Sequence, residues 1–210
     1  MWRNDPPQSK TSTAPAHARR AAGGFDFTTH VRGVAHDMVT RLPDLAHIDL
    51  SRVCIAFCQA RKRVNYGMQA SLTPLRFEGG KTEGKKRGRN YRIQRVNDHA
   101  GREMLYILSF YLPRFMDLVF REKLITILHE LWHISPDFNG DIRRHPGRCY
   151  AHSHSQAEYD AEMGQLADRW LAQGPPESLY TFLHHNFDGL VRSHGTLYGV
   201  RVARPKLFPV

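Results

Sequence analysis

Three cysteines in 210 residues, Cys54, Cys58 and Cys149, form no even disulfide framework. No run approaches the roughly 18 apolar residues that a membrane span needs, and the N-terminus lacks an apolar core of signal-peptide length. These absences exclude a disulfide-stapled secreted domain and an integral membrane protein, and they favour the reducing cytoplasm. Cys54 and Cys58 are spaced CIAFC, which on a strand puts them on one face and is not the CxxC spacing of a metal knuckle. They read as small core residues. Acidic residues are also short, 20 against 30 Lys and Arg, for a net charge of +10. The shortage is local: between residues 61 and 95 eleven Lys or Arg face only Glu78 and Glu83, which leaves +9 in that segment and the rest nearly neutral.

What is present is ordinary for a globular protein: 41% hydrophobic and 24% charged residues. Residues 1–24 combine Pro, Ser, Thr, Ala and Arg without periodicity and read as a disordered leader. From residue 25 to 210 the sequence reads as one domain. Phe27, Val31, Val34, Met38 and Leu42 recur at helical spacing, with Asp26 as cap and Leu42-Pro43 as stop, which predicts a helix over 27–41. Residues 53–57 are a short apolar run of buried-strand type. A second strand is expected within 66–77, with Pro74 interrupting it, and residues 79–90 as an exposed, cationic hairpin loop. A third strand over 91–96 and a fourth over 104–112 follow. After a later helix over 155–171, bearing Tyr159, Met163, Leu166 and Trp170 on one side, a last strand is expected over 197–202.

The stretch that organises the chain is 117–134, DLVFREKLITILHELWHI. Leu118, Phe120, Leu124, Ile127, Leu128, Leu131 and Ile134 give it the wide apolar stripe of a buried helix, and Ser135-Pro136 ends it. Within it His129-Glu130-Leu131-Trp132-His133 places two imidazoles four residues apart, on one face, able to converge on one ion. Glu130, beside the first of them, is offset from that ion and suited to take a proton from water during attack on a carbonyl. Two imidazoles and a glutamate in a buried helix are costly without a metal, although ordinary hydrogen bonds to the histidines are the simpler alternative.

A catalytic zinc needs a third protein ligand and an open position. The segment after the helix offers His145, His152 and His154, with Cys149, Glu158 and Glu162 further out. His145 follows two arginines, whose charges disfavour a nearby cation, whereas His152 and His154 precede Ser155, a good N-cap that would anchor their backbone. Tyr150, Tyr159 and His145 are candidates for stabilising an oxyanion.

With strands leading into an HExxH helix and a further helix after a histidine-bearing loop, the chain resembles the zincin-like metallopeptidases. More narrowly, HELWHISPDFNGDIRRHPGRCYAHSHSQAEYD resembles the phage metallopeptidase family of phages and bacterial mobile elements, over residues 50–172. The resemblance implies an α+β, zincin-like fold in which a small strand meander packs on the active-site helix. It implies Zn²⁺ as cofactor, His129 and His133 as ligands, Glu130 as general base and a protein or peptide as substrate. By the same analogy strand 104–112 should be an edge strand beside the cleft, to which extended substrate adds. A looser similarity to SprT-like proteases, in which a histidine at the start of the next helix completes the site, favours His154 as third ligand and leaves His152 as the alternative. Departures are clear: the metzincin extension HExxHxxGxxH is absent, as is the NExxSD glutamate helix of thermolysin-like enzymes.

The rival class is a nucleic-acid-associated protein with a structural, fully closed metal site, in which the 61–95 segment binds the phosphate backbone and Tyr66 and Tyr91 stack on bases. A hybrid, a protease recruited to nucleic acid, is compatible with the SprT-like similarity. A solvated loop is the plainer explanation of the charge run.

Overall fold

The computed structural model describes residues 12–13, 23–60, 63–64, 66–144 and 156–210; of 12–13 and 156–158 it describes the backbone alone. In chain order the elements are β1 (Ser12–Thr13), β2 (Phe25–Asp26), α1 (Phe27–Arg41), β3 (Val53–Gln59), β4 (Ala70–Pro74), β5 (Glu83–Lys86), β6 (Arg89–Ile93), β7 (Val96–Asn97) and β8 (Tyr106–Leu112). There follow α2 (Phe120–Trp132), α3 (Gln156–Ala172), α4 (Glu177–Tyr180), α5 (Phe187–His194), β9 (Leu197–Tyr198) and β10 (Leu207–Pro209). The class is α+β. Of the stretch expected as a disordered leader, residues 1–11 and 14–22 lie outside the described residues, while β1 pairs in parallel with β7.

The central sheet has the order β3-β8-β4, with β3 parallel and β4 antiparallel to β8. Its faces separate by strict alternation. Val53, Ile55 and Phe57 from β3, and Tyr106, Leu108, Phe110 and Leu112 from β8, point into the main core. There they meet α1 through Val31, Val34 and Met38, α2 through Leu124, Ile127 and Leu131, and α3 through Met163, Leu166 and Trp170. Ala56 and Ile107 point the other way, into a smaller core with Leu75, Val96 and Met104. Cys54 packs half-buried against that smaller core, and both Cys54 and Cys58 are free thiols. α1 starts where the sequence places it: the Asp26 side chain accepts from the Thr29 N–H at 3.1 Å.

Two expectations are corrected here. The strands do not form a meander, because β8 inserts between β3 and β4 instead of pairing with its sequence neighbours. For the same reason strand 104–112 is not an edge strand: β8 is paired on both sides, and β3 and β4 are the outer strands. The physical reason is burial. β8 is apolar along almost its whole length and is buried on both faces, the pattern of a central strand, whereas β4 is half-exposed and ends in Pro74.

The segment expected as an exposed, cationic hairpin loop, 79–90, is an exposed hairpin with strands of its own. β5 and β6 form a hairpin, and β10 adds to β6 to complete a three-stranded antiparallel sheet. The turn between them has Arg87 and Gly88 at φ values of 50° and 80°. No helix among the described residues is long and apolar enough to cross a membrane.

Candidate metal centre

α2 carries the motif at its C-terminal end, and that end is heavily braced. A helix leaves its last carbonyls without intrahelical partners. Here Arg143 returns to satisfy them: its backbone N–H donates to the His133 carbonyl at 2.7 Å and its Nε to the Trp132 carbonyl at 2.8 Å. Its guanidinium lies 4.1 Å from the centroid of the Trp132 ring, so a cation also sits at the negative end of the helix dipole. The turn that brings Arg143 back is closed by the Ile134–Ile142 bridge and fastened to the sheet by Tyr106 of β8. The Tyr106 hydroxyl donates to the Asp141 carbonyl at 2.8 Å and accepts from the Gly140 N–H at 2.9 Å, and burial pushes its pKa up to about 12. Gly140 is required there: its φ is 87°, and a Cβ would lie 2.5 Å from the Arg76 side chain.

On this braced helix end His129 and His133 project together, with ring centroids 4.7 Å apart and planes at 81°. Both are half-buried and reachable from solvent. Tyr159 of α3, 2% exposed, closes one side; its ring meets His129 edge-on at 4.7 Å and stacks on His133 at 5.8 Å. Burial, and after it the nearby carboxylates, push the Tyr159 hydroxyl far above the ordinary tyrosine range, while Arg143 opposes the shift. The next residue, Asp160, brings a carboxylate oxygen to 3.8 Å from Nδ1 of His129.

Glu130 is buried to 8% exposure, and its pKa is pushed up to about 7 by burial, against a smaller opposing effect from the Leu72 backbone N–H. That amide belongs to the outward edge of β4, which pairs with no other strand among the described residues. The Tyr111 N–H donates to the Gln69 carbonyl at 2.8 Å, so the pairs 69/111, 71/109 and 73/107 carry the ladder hydrogen bonds. Ala70, Leu72 and Pro74 therefore turn their backbone polar groups outward, away from β8. Pro74, which has no N–H, costs the ladder nothing in that position.

The structure thus brings together His129, Glu130, His133 and Tyr159 from the residues singled out in the sequence. His145, His152 and His154, with Cys149 and Tyr150, lie outside the described residues, as does the Glu158 side chain; Glu162 is exposed. Three contributors escaped the sequence reading. Asp160 carried no signal beyond being an acid on the following helix, Arg143 appeared only as part of a basic run, and the Leu72 amide belongs to a strand whose edge position depends on distant pairing. Two imidazoles at this spacing, with a carboxylate beside one of them, are a nitrogen and oxygen donor set that suits zinc. Among the described residues no group of three or more His, Cys, Asp or Glu side chains is placed to hold a metal ion. No protein-family model, curated protein or solved structure matches the chain.

Proposed function

We propose that the chain is a zinc-dependent metallopeptidase acting on protein or peptide substrates in the reducing cytoplasm. The observation that carries this reading is the geometry at the end of α2: two accessible imidazoles one turn apart, with a buried carboxylate between them that faces the outward edge of β4. His129 and His133 hold the ion, and His154 is the third ligand, with His152 as the alternative. When bound, zinc acidifies water and polarises a carbonyl. Glu130 accepts the proton of the attacking water and passes it to the departing amine. Tyr159 shields one side of the paired imidazoles from solvent, and Asp160 biases the His129 ring by its position near Nδ1, a role carboxylates commonly play behind a ligating histidine. The outward groups of β4, the Ala70 N–H and the carbonyls of Ala70, Leu72 and Pro74, bind the main chain of an extended substrate. Free Cys54 and Cys58 suit a compartment that keeps thiols reduced.

The test is zinc content measured beside hydrolysis of a casein substrate. Glu130→Gln should keep zinc and lose about 10² to 10⁴ in rate, the usual cost of removing a general base. His129→Ala should lose the metal itself. His154→Ala should lose both metal and activity while His152→Ala keeps them. Wild-type turnover by Glu130→Gln would overturn the reading, and the opposite result at the two histidines would move the third ligand to His152.

A further inference from the structure

The basic segment divides once its partners are seen. Arg63 pairs with Asp188 and Asp117, Arg76 and Arg95 with Glu103, and Arg92 with Glu83, so these four serve the fold. Lys81, Lys85 and Lys86, and Arg204 from the C-terminal segment, are exposed and have no ion pair with any described residue. All four line one groove of about 1010 Å³, walled on one side by the β5–β6 hairpin and on the other by Thr73 and Pro74 of β4. The acids in the groove are outnumbered: Asp141 accepts from Arg144 at 2.9 and 3.0 Å, Glu83 is held by Arg92, and Glu78, 3.9 Å from the same Arg144, is the one acid left among the described residues against the four free cations. The balance of charge facing the groove is therefore positive.

The groove adjoins the candidate metal centre. Pro74 is two residues along β4 from Leu72, whose amide faces Glu130, a separation of about 7 Å along a strand. Ile142, also in the wall, bridges Ile134 immediately after His133. A peptide laid along the outward edge of β4 with its scissile bond near Glu130 leaves that edge at Pro74, because the Arg76 N–H beyond it donates to the Gly140 carbonyl at 3.0 Å, and enters this groove there.

We infer that the groove receives acidic side chains, so that the peptidase selects substrates carrying glutamate or aspartate on the side of the scissile bond that lies toward Pro74. The inference rests on the metallopeptidase reading. A peptide suits the groove better than a single-stranded nucleic acid does, for two reasons. The groove opens where the outward main-chain groups of the β4 edge end, at Pro74, and such an edge is peptide-binding architecture. Among the described residues it also has no platform for bases: Phe77, the aromatic in its wall, packs against Gly84, where a Cβ would stand 2.4 Å from the ring, and the exposed Tyr66 is not part of the lining.

The experiment uses the full chain loaded with zinc and quenched fluorescent peptides that share one cleavable core, flanked on one side or the other by three Glu, three Gln or three Lys. With Glu on one side, kcat/KM should exceed that of the Gln peptide by on the order of tenfold, an advantage that falls with salt. The variant Lys81→Glu/Lys85→Glu/Lys86→Glu should erase that preference while leaving the Gln peptide unaffected. Equal rates for Glu and Gln peptides, or a preference that survives the triple substitution, would overturn the inference. A second readout does not depend on turnover: anisotropy of a labelled Glu peptide on zinc-loaded Glu130→Gln protein, with and without the three lysine substitutions. Binding lost on substitution while wild type cleaves no peptide would sink the peptidase reading and leave the groove's acidic-peptide ligand standing. An oligothymidylate that displaces the Glu peptide at equal charge concentration would make this a nucleic-acid surface and reject the peptide assignment.

Discussion

Lys123 and Glu130, seven residues apart on α2, are the two charged side chains that this helix buries. Glu130 faces the strand edge, and Lys123 serves the architecture behind it. Its Nζ donates to the carbonyls of Leu183 and His185, each at 2.7 Å, and burial lowers its pKa from 10.5 to about 8, with Asp117 opposing. Because the folded-state pKa lies below the unfolded one, the unfolded chain binds more protons between those values. Stability contributed by this group therefore rises with pH from about 8 to 10.5 and is at its lowest below that window. The expected outcome is that wild type gains on Lys123→Met as pH is raised across this window, read as the difference in urea midpoints; parallel pH profiles would contradict it. At this scale the sequence was legible where helical spacing fixes placement, as in the two rings of His129 and His133 brought together at the end of α2. Lys123 was legible in principle, since it lies four residues before Ile127 on the apolar stripe, but a lysine there can equally reach solvent with its head group. What distinguishes the two is a pair of carbonyls sixty residues away, which no local pattern announces.

The elements themselves were largely foreseeable. α1 occupies the residues its periodicity and Asp26 cap define, and the motif helix and the one after it fall within a few residues of their expected ends. The order of strands in the sheet was not. Local pattern says that a stretch is a strand, while its neighbours are chosen by the global fit of buried faces, and an analogy assigned the edge to the wrong strand. The sequence nonetheless carried the correct hint, because a proline sits in β4 and an almost unbroken apolar run makes up β8. The turn behind the site helix shows how much one central-strand side chain can hold. Tyr106→Phe removes a hydroxyl that serves both the Gly140 N–H and the Asp141 carbonyl, leaving the buried Gly140 N–H unmatched and the carbonyl with the Ser135 N–H alone. The expected loss is about 1 to 3 kcal/mol by urea unfolding. Zinc affinity should fall with it, because the same turn delivers Arg143 to the end of α2.

At the scale of the whole molecule, the pieces that shape the candidate site are joined by pairings between distant parts of the chain. β9 pairs with β2, and β10 completes the sheet of the basic hairpin. Such contacts are set by the final packing and leave no trace in composition, which is why the tail read as little more than one short strand. A chain ending at Lys206 should keep the hydrogen-exchange protection of β8 but lose that of β6, because a two-stranded hairpin is marginal without a third strand. A uniform loss across both strands would mean instead that the last residues hold the entire fold.

The pairing of β6 with β10 also has a meaning in time. Leu207 faces Ile93, so the hairpin leaves the ribosome 114 residues before the strand that secures it. At typical rates of synthesis that interval is about 6 to 23 seconds. Throughout it the hairpin and its lysines are a loosely held ribbon, and the wall they form beside β4 has not yet been built. A nascent chain can thus have its paired histidines in place on α2 before it has the surface proposed to choose what they act upon.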